Sequence, residues 1–309
     1  MHSVVVFGII GGSIVKEHYV MQIQKSFQEN SAMLFLVSTP IGNLSDMTPR
    51  AVETLKSVAV IASEDTRRAL ALCSHFEIRT PLLSYHEHNK HQKTDIILNR
   101  LARGETIALI SDAGMPLISD PGDQLVDAVL AAGYAVVPIP GASAAITALI
   151  ASGLSPQPYL FYGFLKRQKS KKKAELLTMA TTPATLIFYE SPHRLKETLK
   201  LMLEVYGNRR VVIARELTKM FEEFLRGTVR EVLEYLQEIK GEVVLLIEGN
   251  YCAPNEDIWW EGMNVYEHVD HYISEGMKTN IAIKQVATDL GLARQAIYKE
   301  YHTSAPTRK

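Results

Sequence analysis

The sequence predicts an α/β protein made of two α/β domains and a small C-terminal helical segment. From Met33 onward, short apolar runs alternate with amphipathic stretches, which is typical of strands and helices arranged around a mainly parallel sheet. The segment ASGLSPQP at 151–158 interrupts this alternation with small residues, glycine and two prolines, and therefore indicates a domain boundary. The polar segment YCAPNED, which follows Asn250, marks a second boundary.

These boundaries divide the chain into four parts. We expect an N-terminal α/β domain over 33–153, a C-terminal α/β domain over 154–250 and a helical segment over 263–303. Residues 1–32 lack a clear hydrophobic period, so we interpret them as a poorly ordered extension outside the fold. No Lys or Arg precedes their apolar run, which is also too short to cross a bilayer, so neither a signal peptide nor a membrane anchor is expected.

Strands and helices can be placed in both α/β domains. The strand candidates are runs with β-branched residues that end at Pro, Gly, Ser or Asp. They are 34–39, 58–63, 81–85, 106–111 and 135–140 in the first domain, and 159–165, 185–191, 210–216 and 242–249 in the second. Helices are expected in the gaps, among them 48–57, 88–103, 169–180, 192–206 and 228–239. The first begins with Thr48 as N-cap and a proline at the first helical position.

The composition restricts the kind of partner and the compartment. Of the 309 residues, 47% are hydrophobic and 22% are charged, as in a globular protein that can bury substantial cores. The net charge is −1, so attraction to nucleic acid would depend on local basic patches. The two cysteines, Cys73 and Cys252, form no CxxC motif, so neither a disulfide framework nor a zinc knuckle is indicated and a reducing cytoplasm is the expected location.

The informative loops of the first domain each follow a predicted strand. STPIGNLSD begins at Ser38, SEDTRR at Ser63, SDAGMPLISDPG at Ser111 and PGASAA at Pro140. In open α/β sheets, ligands bind in the crevice outside the carboxyl ends of the strands, so these loops are expected to converge there. Glycine and proline usually only punctuate turns, but four such loops at equivalent places predict a single ligand cleft.

The same loops resemble those of the tetrapyrrole methylase superfamily and, within it, of the small-subunit ribosomal RNA (cytidine-2′-O)-methyltransferases. The similarity runs from about Met33 to Asn250, and a helix-turn-helix-like tail is also similar. The matching segments are VSTPIGNLSDMTPRA (37–51), IASEDTRR (61–68), YHEHN (85–89), LISDAGMPLISDPG (109–122), PIPGASAA (138–145), FYESPHR (188–194), ARELTKMFEEFLRG (214–227) and VVLLIEG (243–249). Precorrin-type members would carry GxGPG and GDP-type loops, which this chain lacks.

The resemblance implies a two-domain, class III methyltransferase fold with S-adenosylmethionine folded in the cleft between the domains. It also implies 2′-O-methylation of a cytidine in 16S ribosomal RNA, a partner in that RNA or in the small ribosomal subunit, no membrane association and a homodimer. The cofactor residues it implies are Pro40, Gly42, Ser111, Asp112, Ala113, Gly114, Met115, Pro116, Ile118, Ser119, Gly141, Ala142, Ser143 and Ala144. Asp112 could pair with the methionine ammonium group or, alternatively, cap a turn.

Methyl transfer from a sulfonium to a ribose hydroxyl needs alignment of the two groups and removal of the hydroxyl proton. Alignment is the larger contribution, because positioning can supply about 7–11 kcal/mol and a general base about 10²–10⁴ in rate. The candidate bases are Glu64 and Asp65, with Arg67 and Arg68 beside them. The alternative is that these carboxylates cap the following helix.

Several polar segments are candidates for RNA contact. The segment YHEHNKH contains His86, His88 and His91, which could suggest a metal site. Residues i and i+2 of a helix do not share a face, however, and no nearby carboxylate completes a recognised ligand set, so no metal site is expected. RNA contact or helix entry accounts better for His86, Glu87 and Asn89. The basic run at 166–173 is either a phosphate-contacting flap or a solvated face. The RNA-binding candidates are Arg67, Arg68, His86, Asn89, Lys169, Lys171, Lys172, Lys173 and Arg194.

Two further groups of residues, one in the second domain and one in the C-terminal tail, each allow two interpretations. Glu190, His193 and Arg194, together with Lys219, Glu222 and Arg226, form either the second domain's side of the cleft or a surface salt-bridge network. The apolar residues of the tail fit two short helices around Gly291, as in a helix-turn-helix or in a helical hairpin without a nucleic-acid role. These residues are Ile281, Val286, Ala287, Leu290, Leu292, Ile297 and Tyr298. The rival functions are methylation of a tetrapyrrole carbon and a nucleic-acid-binding regulator that uses the tail.

Overall fold

The computed structural model describes residues 3–10, 13–20, 23–26, 32–236, 240–250, 260, 262–290 and 292–303. The chain divides into two compact units, residues 1–250 and 251–309. Near the N-terminus, strand β1 (Ser3–Ile10) pairs antiparallel with β2 (Ser13–Val20) in a two-stranded sheet. This pair of strands differs from the poorly ordered extension that was expected over 1–32. The sequence here has two runs with many β-branched residues on either side of a Gly-Gly pair, and that pattern favours a hairpin.

The first large sheet has five parallel strands in the order β5-β4-β6-β3-β7. They are β3 (Met33–Val37), β4 (Val60–Ser63), β5 (Leu82–Ser84), β6 (Ile107–Ile110) and β7 (Ala135–Ile139), within a few residues of the predicted runs. Because β3 lies between β6 and β7, the loops that follow these three strands leave the same edge of the sheet side by side.

Helices cover both faces of this sheet. They are α1 (Pro49–Ser57), α2 (Thr66–His75), α3 (Lys90–Ala102) and α4 (Asp123–Ala131). The next helix, α5 (Ala144–Ser152), packs against the second large sheet instead. Helix α1 begins as predicted, since the Thr48 side chain accepts a hydrogen bond of 3.1 Å from the Ala51 amide. On β3, Val37 packs in the core on one face and Leu34 in the core on the other. Burial on both faces explains why these strands are nearly continuous apolar runs.

The second large sheet is mixed, with the order β11-β10-β12-β9-β8, and only β8 and β9 pair in parallel. Its strands are β8 (Tyr159–Phe164), β9 (Thr185–Glu190), β10 (Arg210–Arg215), β11 (Glu223–Thr228) and β12 (Val243–Ile247). The expected halves, 33–153 and 154–250, therefore each contain a five-stranded sheet, and their division into separate domains stays a prediction.

The helices of this half are α6 (Lys169–Thr178), α7 (Pro192–Tyr206) and α8 (Val229–Tyr235). Helix α8 begins with a capping box between Thr228 and Glu231 and ends earlier than the predicted 228–239, of which 237–239 lie outside the described residues. Strand β11 was not predicted. It is a half-buried edge strand with charged residues, so it lacks the apolar run that revealed the other strands.

The described residues of the second unit form three helices, α9 (Val265–Ser274), α10 (Thr279–Asp289) and α11 (Arg294–Thr303). Val269, Ile283, Val286 and Ile297 pack in its core, as the apolar pattern of the tail predicted for the last two. Ile281, Leu290, Leu292 and Tyr298, which were assigned to the same pattern, are exposed. Across the described parts of the chain, no helix combines the length and the apolar character needed to span a membrane.

Candidate functional site

The loops at the carboxyl end of the parallel sheet are tied together by backbone hydrogen bonds. Thr39 and Gly114 exchange amide hydrogen bonds of 2.8 and 3.1 Å, which join the loops after β3 and β6. The Ser38 hydroxyl donates to the Ile139 carbonyl at 3.1 Å and joins the loop after β3 to the end of β7. The convergence predicted from the order of strands and loops therefore exists in the structure.

A cavity of about 460 Å³ lies between these loops and the second sheet, a volume in the range of small-molecule sites, about 300–1,000 Å³. Its other wall includes Phe164, Tyr189, Glu190 and Leu217. The expected cofactor residues that line it are Asp112, Ala113, Gly114, Met115, Ile118, Ser119, Ser143 and Ala144. Two α/β halves thus contribute to one cavity.

A second cavity, of about 370 Å³, adjoins the first. Both cavities are lined by Ile41, Arg68, Asp112, Ala113 and Glu242, so they form one continuous site. The expected cofactor residues Pro40, Gly42 and Ser111 line the second cavity only.

Three expected cofactor residues line neither cavity, namely Pro116, Gly141 and Ala142. A Cβ atom on Gly141 would lie 2.6 Å from the Ser38 Cβ, so this glycine is required for close packing of the two loops. Pro116 is buried in the loop after β6. These residues shape the site from behind its surface.

Asp112 holds together the loops after β4 and β6. One carboxylate oxygen accepts from the Asp65 amide at 3.2 Å, and the other lies 3.3 Å from the Arg68 guanidinium. Both oxygens therefore have protein partners, but these contacts join two loops, whereas the alternative was a cap of a helix or turn. Because Asp112 also lines both cavities, its proposed contact with the methionine ammonium group stays a prediction.

Of the two candidate bases, Asp65 is a helix cap. Its carboxylate accepts from the Arg67 amide at 2.9 Å at the start of α2 and forms a salt bridge with the Arg67 side chain. These interactions hold the pKa of Asp65 below its ordinary value, which weakens it as a proton acceptor. Glu64 is exposed and lines neither cavity.

Asp120 is the carboxyl group that sequence analysis missed. It lines the larger cavity, at the end of the loop after β6. Burial raises the pKa of Asp120 from 3.8 to about 6, with further contributions from the negative charges of Glu64 and Asp112. A pKa near neutrality suits a general base. Its place in SDAGMPLISDPG was the available signal, but neither burial nor charged neighbours are visible in the sequence.

Glu190 belongs to a buried ionic network on the opposite wall. Its two oxygens accept from the Thr198 hydroxyl at 2.6 Å and from the Ser191 amide at 2.8 Å. The Arg194 guanidinium lies 3.3 Å from the same carboxylate, and the Lys172 ammonium lies 3.9 Å from it and donates to Thr198 at 2.9 Å. Glu190 thus lies at the cavity with its orientation fixed from behind.

The expected RNA-binding residues are not equally available. Lys172 was included with the basic run, and this is wrong, because its side chain is 0% exposed within the ionic network of Glu190. Lys173 pairs with Glu204 at 2.6 Å, whereas Lys169 and Lys171 are exposed. Helix α6 therefore presents only part of the basic run to solvent.

The other RNA-binding candidates also differ in how far their side chains are available to RNA. The side chains of Arg67 and Arg68 are 90% and 68% exposed beside the site. Asn89 accepts from the His86 amide at 2.9 Å before α3, so these two residues form the helix entry that was the alternative to RNA contact. Arg194 is mostly buried and donates to the Leu165 carbonyl.

Comparison with known proteins assigns the fold. The sequence model of one protein family, the tetrapyrrole (corrin/porphyrin) methylases, matches residues 33–233. The chain belongs to this family. The expected class III fold with its C-terminal helices is confirmed, and so is the enzyme class, a methyltransferase that uses S-adenosylmethionine.

Individual relatives cover most of the chain. Ribosomal RNA small subunit methyltransferase I of Bacillus subtilis (strain 168) is 52% identical over 92% of this chain and 99% of its own length. The protein of the same name from Halalkalibacterium halodurans is 53% identical, covering 91% of this chain and 99% of its own. A solved uroporphyrin-III C-methyltransferase from Thermus thermophilus, complexed with S-adenosylhomocysteine, has 19% identity and a TM-score of 0.51 over 70% of this chain and 97% of its own. That similarity concerns the fold alone.

Proposed function

We propose that this methyltransferase transfers a methyl group from S-adenosylmethionine to the 2′-oxygen of a cytidine in 16S ribosomal RNA. The observation that carries the substrate is the identity of 52–53% to full-length proteins named for methylation of small-subunit ribosomal RNA. The cavity and Asp120 support a reaction in which a hydroxyl proton must be removed.

The cofactor site is assigned to the loops after β3, β6 and β7. The larger cavity has the volume of a small-molecule site, and backbone groups reach it at Gly114, whose φ of +82° favours glycine. A Cβ atom there would lie 3.3 Å from Ile41 Cγ2 and 3.7 Å from the Ala142 carbonyl oxygen. When bound, S-adenosylmethionine supplies an electrophilic methyl group. Asp112, Met115, Ser119 and Ala144 are the residues assigned to hold it.

Replacing Gly114 by valine should prevent cofactor binding. The new side chain would crowd Ile41 and the Ala142 carbonyl in the wall of the cavity, so we expect the dissociation constant of S-adenosylmethionine, measured by calorimetry, to rise at least about tenfold, the equivalent of 1.4 kcal/mol. Gly104→Val is the matched control, because Gly104 has the same φ of +82° and no atom within 4 Å of its Cβ position. Equal affinities in the two variants would contradict the assignment.

Asp120 is assigned the proton transfer. The expected candidates were Glu64 and Asp65, but Asp65 caps helix α2 and Glu64 lies outside the cavities, whereas Asp120 lines the larger cavity. Its carboxylate would accept the ribose hydroxyl proton as the oxygen takes the methyl group, and the residues of both walls would position the ribose and the methyl donor. Arg67, Arg68, Lys169 and Lys171 are exposed and are assigned to the phosphates of the RNA.

The substrate can be tested directly. Purified protein and labelled S-adenosylmethionine are incubated with small ribosomal subunits from cells that lack the protein, with naked 16S RNA in parallel, and the labelled nucleotide is mapped. Label on the 2′-oxygen of a cytidine is expected. Label on a base, or on a tetrapyrrole but not on RNA, would refute the proposal and favour a C-methyltransferase. A nucleic-acid-binding regulator would be favoured by two results together. Wild-type protein would methylate nothing, and the Gly114→Val variant would still bind RNA.

The family resemblance also supports a homodimer, and the two isolated cysteines support a location in the reducing cytoplasm. Sedimentation of the purified protein tests the dimer, and a monomer at micromolar concentration would refute it.

A further inference from the structure

The turn between β10 and β11 exposes two large apolar side chains. Met220 is 92% exposed and Phe221 is 68% exposed, although they are adjacent in sequence. Scattered exposed apolar residues need no explanation, but an adjacent pair on one turn of a protein that binds a large partner does. We call Met220 and Phe221 the apolar tip.

The turn that carries the apolar tip is held in one conformation. The Thr218 amide donates to the Glu222 carboxylate at 2.7 Å, and the Lys219 and Glu222 amides donate to backbone carbonyls within the turn. The Lys219 ammonium lies 3.0 Å from both Glu216 and Glu242. Because these contacts brace the turn on both sides, its two apolar side chains are kept in solvent instead of folding back onto the protein.

The base of the same turn forms part of the site. Leu217 lines the larger cavity and Lys219 lines the second. A Cβ atom on Gly42 would lie only 2.7 Å from Lys219 Cγ and 2.9 Å from the Leu217 carbonyl, so the turn packs tightly against the loop after β3. The apolar tip follows Lys219 directly and therefore stands at the rim of the site.

Exposed cations lie at the same rim. Arg68, whose side chain is 68% exposed, lines the second cavity together with Lys219, and Arg67 precedes it with 90% exposure. Cations and an exposed aromatic ring at one rim match the chemistry of single-stranded RNA, in which phosphates alternate with flat bases. A nucleotide whose 2′-hydroxyl enters a cavity must leave the base stack. The neighbouring bases then lack a stacking partner, which an aromatic side chain can replace.

We propose that the apolar tip is an RNA-binding element, in which Phe221 stacks on a base near the methylated nucleotide and Met220 packs beside it. This inference rests on the proposed RNA substrate. It assigns the tip to positioning of the RNA, with no part in cofactor binding or proton transfer.

The test compares Phe221→Ala, Phe221→Trp and Tyr235→Ala. Tyr235 on α8 is 67% exposed and lines neither cavity, so its removal is the matched control. The KM for small subunits or RNA should rise about tenfold in Phe221→Ala, as expected for the loss of one base–aromatic stack, and should stay near wild type in the other two. The dissociation constant of S-adenosylmethionine and the sedimentation coefficient should not change.

Two results would overturn the inference. One is an equal KM in Phe221→Ala and Tyr235→Ala. The other is a change of oligomeric state in Phe221→Ala, which would make the tip a contact between two copies of the chain. Failure of the proposed function is distinguishable, because wild-type protein would then leave the RNA unlabelled, whereas failure of this inference leaves wild-type methylation intact.

Discussion

Asp120→Asn is expected to lower kcat by about 10²–10⁴-fold, the usual contribution of a general base. The amide has the size of the carboxylate but cannot accept the ribose hydroxyl proton. Binding of S-adenosylmethionine should be retained, because the exchange removes no volume from the cavity. Asp123→Asn is the control, since Asp123 is exposed and lines neither cavity, and it should keep wild-type kcat.

The pH dependence provides a second measurement for Asp120. Only the ionised carboxylate accepts a proton, and the pKa of Asp120 is raised to about 6. The kcat of wild type should therefore fall as the pH drops through about 6 and should level off above it. Asp120→Asn should lose this dependence. If the variant keeps the same acidic limb, another group titrates and Asp120 is not the base.

The same raised pKa predicts a gain in stability for the variant. Because the folded-state pKa lies above the ordinary value of 3.8, ionisation of Asp120 opposes folding. The stability contributed by the protonated form is fully present below pH 3.8 and is lost as the pH rises through about 6. The melting temperature of Asp120→Asn, relative to wild type, should therefore increase over this interval and stay higher above it.

Lys172→Met should lower the free energy of unfolding by about 3–5 kcal/mol, as removal of one member of a buried ion pair usually does. The Lys172 side chain is 0% exposed, and Glu190 behind it is nearly as deeply buried. Arg194, Thr198 and the Ser191 amide would still contact Glu190, but the ammonium group that donates to Thr198 would be lost. Urea denaturation followed by circular dichroism measures the change.

Lys171→Met is the matched control for this prediction. Lys171 neighbours Lys172 on α6 and is exposed, so its replacement should change stability by less than about 0.5 kcal/mol. The double variant Lys172→Met with Glu190→Gln should be more stable than Lys172→Met alone, because it no longer buries a carboxylate that has lost one of its cations. Equal stability of the Lys171 and Lys172 variants would show that the network contributes nothing.

Much of the first sheet was predictable from local pattern. Its strands are buried on both faces, so they are apolar runs ending at turn residues, and parallel strands place their following loops at one edge. This is why the sequence alone predicts that the loop at Ser111–Gly122 lies at the site. Strand β11 was missed because an edge strand is half exposed and needs no apolar run; pairing with β10 determines its position.

Apart from β1, β2 and β11, the sequence alone determined the order of the strands, the convergence of the loops and the family, because hydrophobic period and loop motifs are local properties of the chain. Only the tertiary structure distinguished side chains of the same type. Lys172 is buried while Lys171 is exposed, and Asp65 caps a helix while Asp120 enters the cavity with a raised pKa. Burial and charged neighbours come from segments distant in sequence, such as Glu190 for Lys172 and Glu64 for Asp120, so folding decides which residues can act.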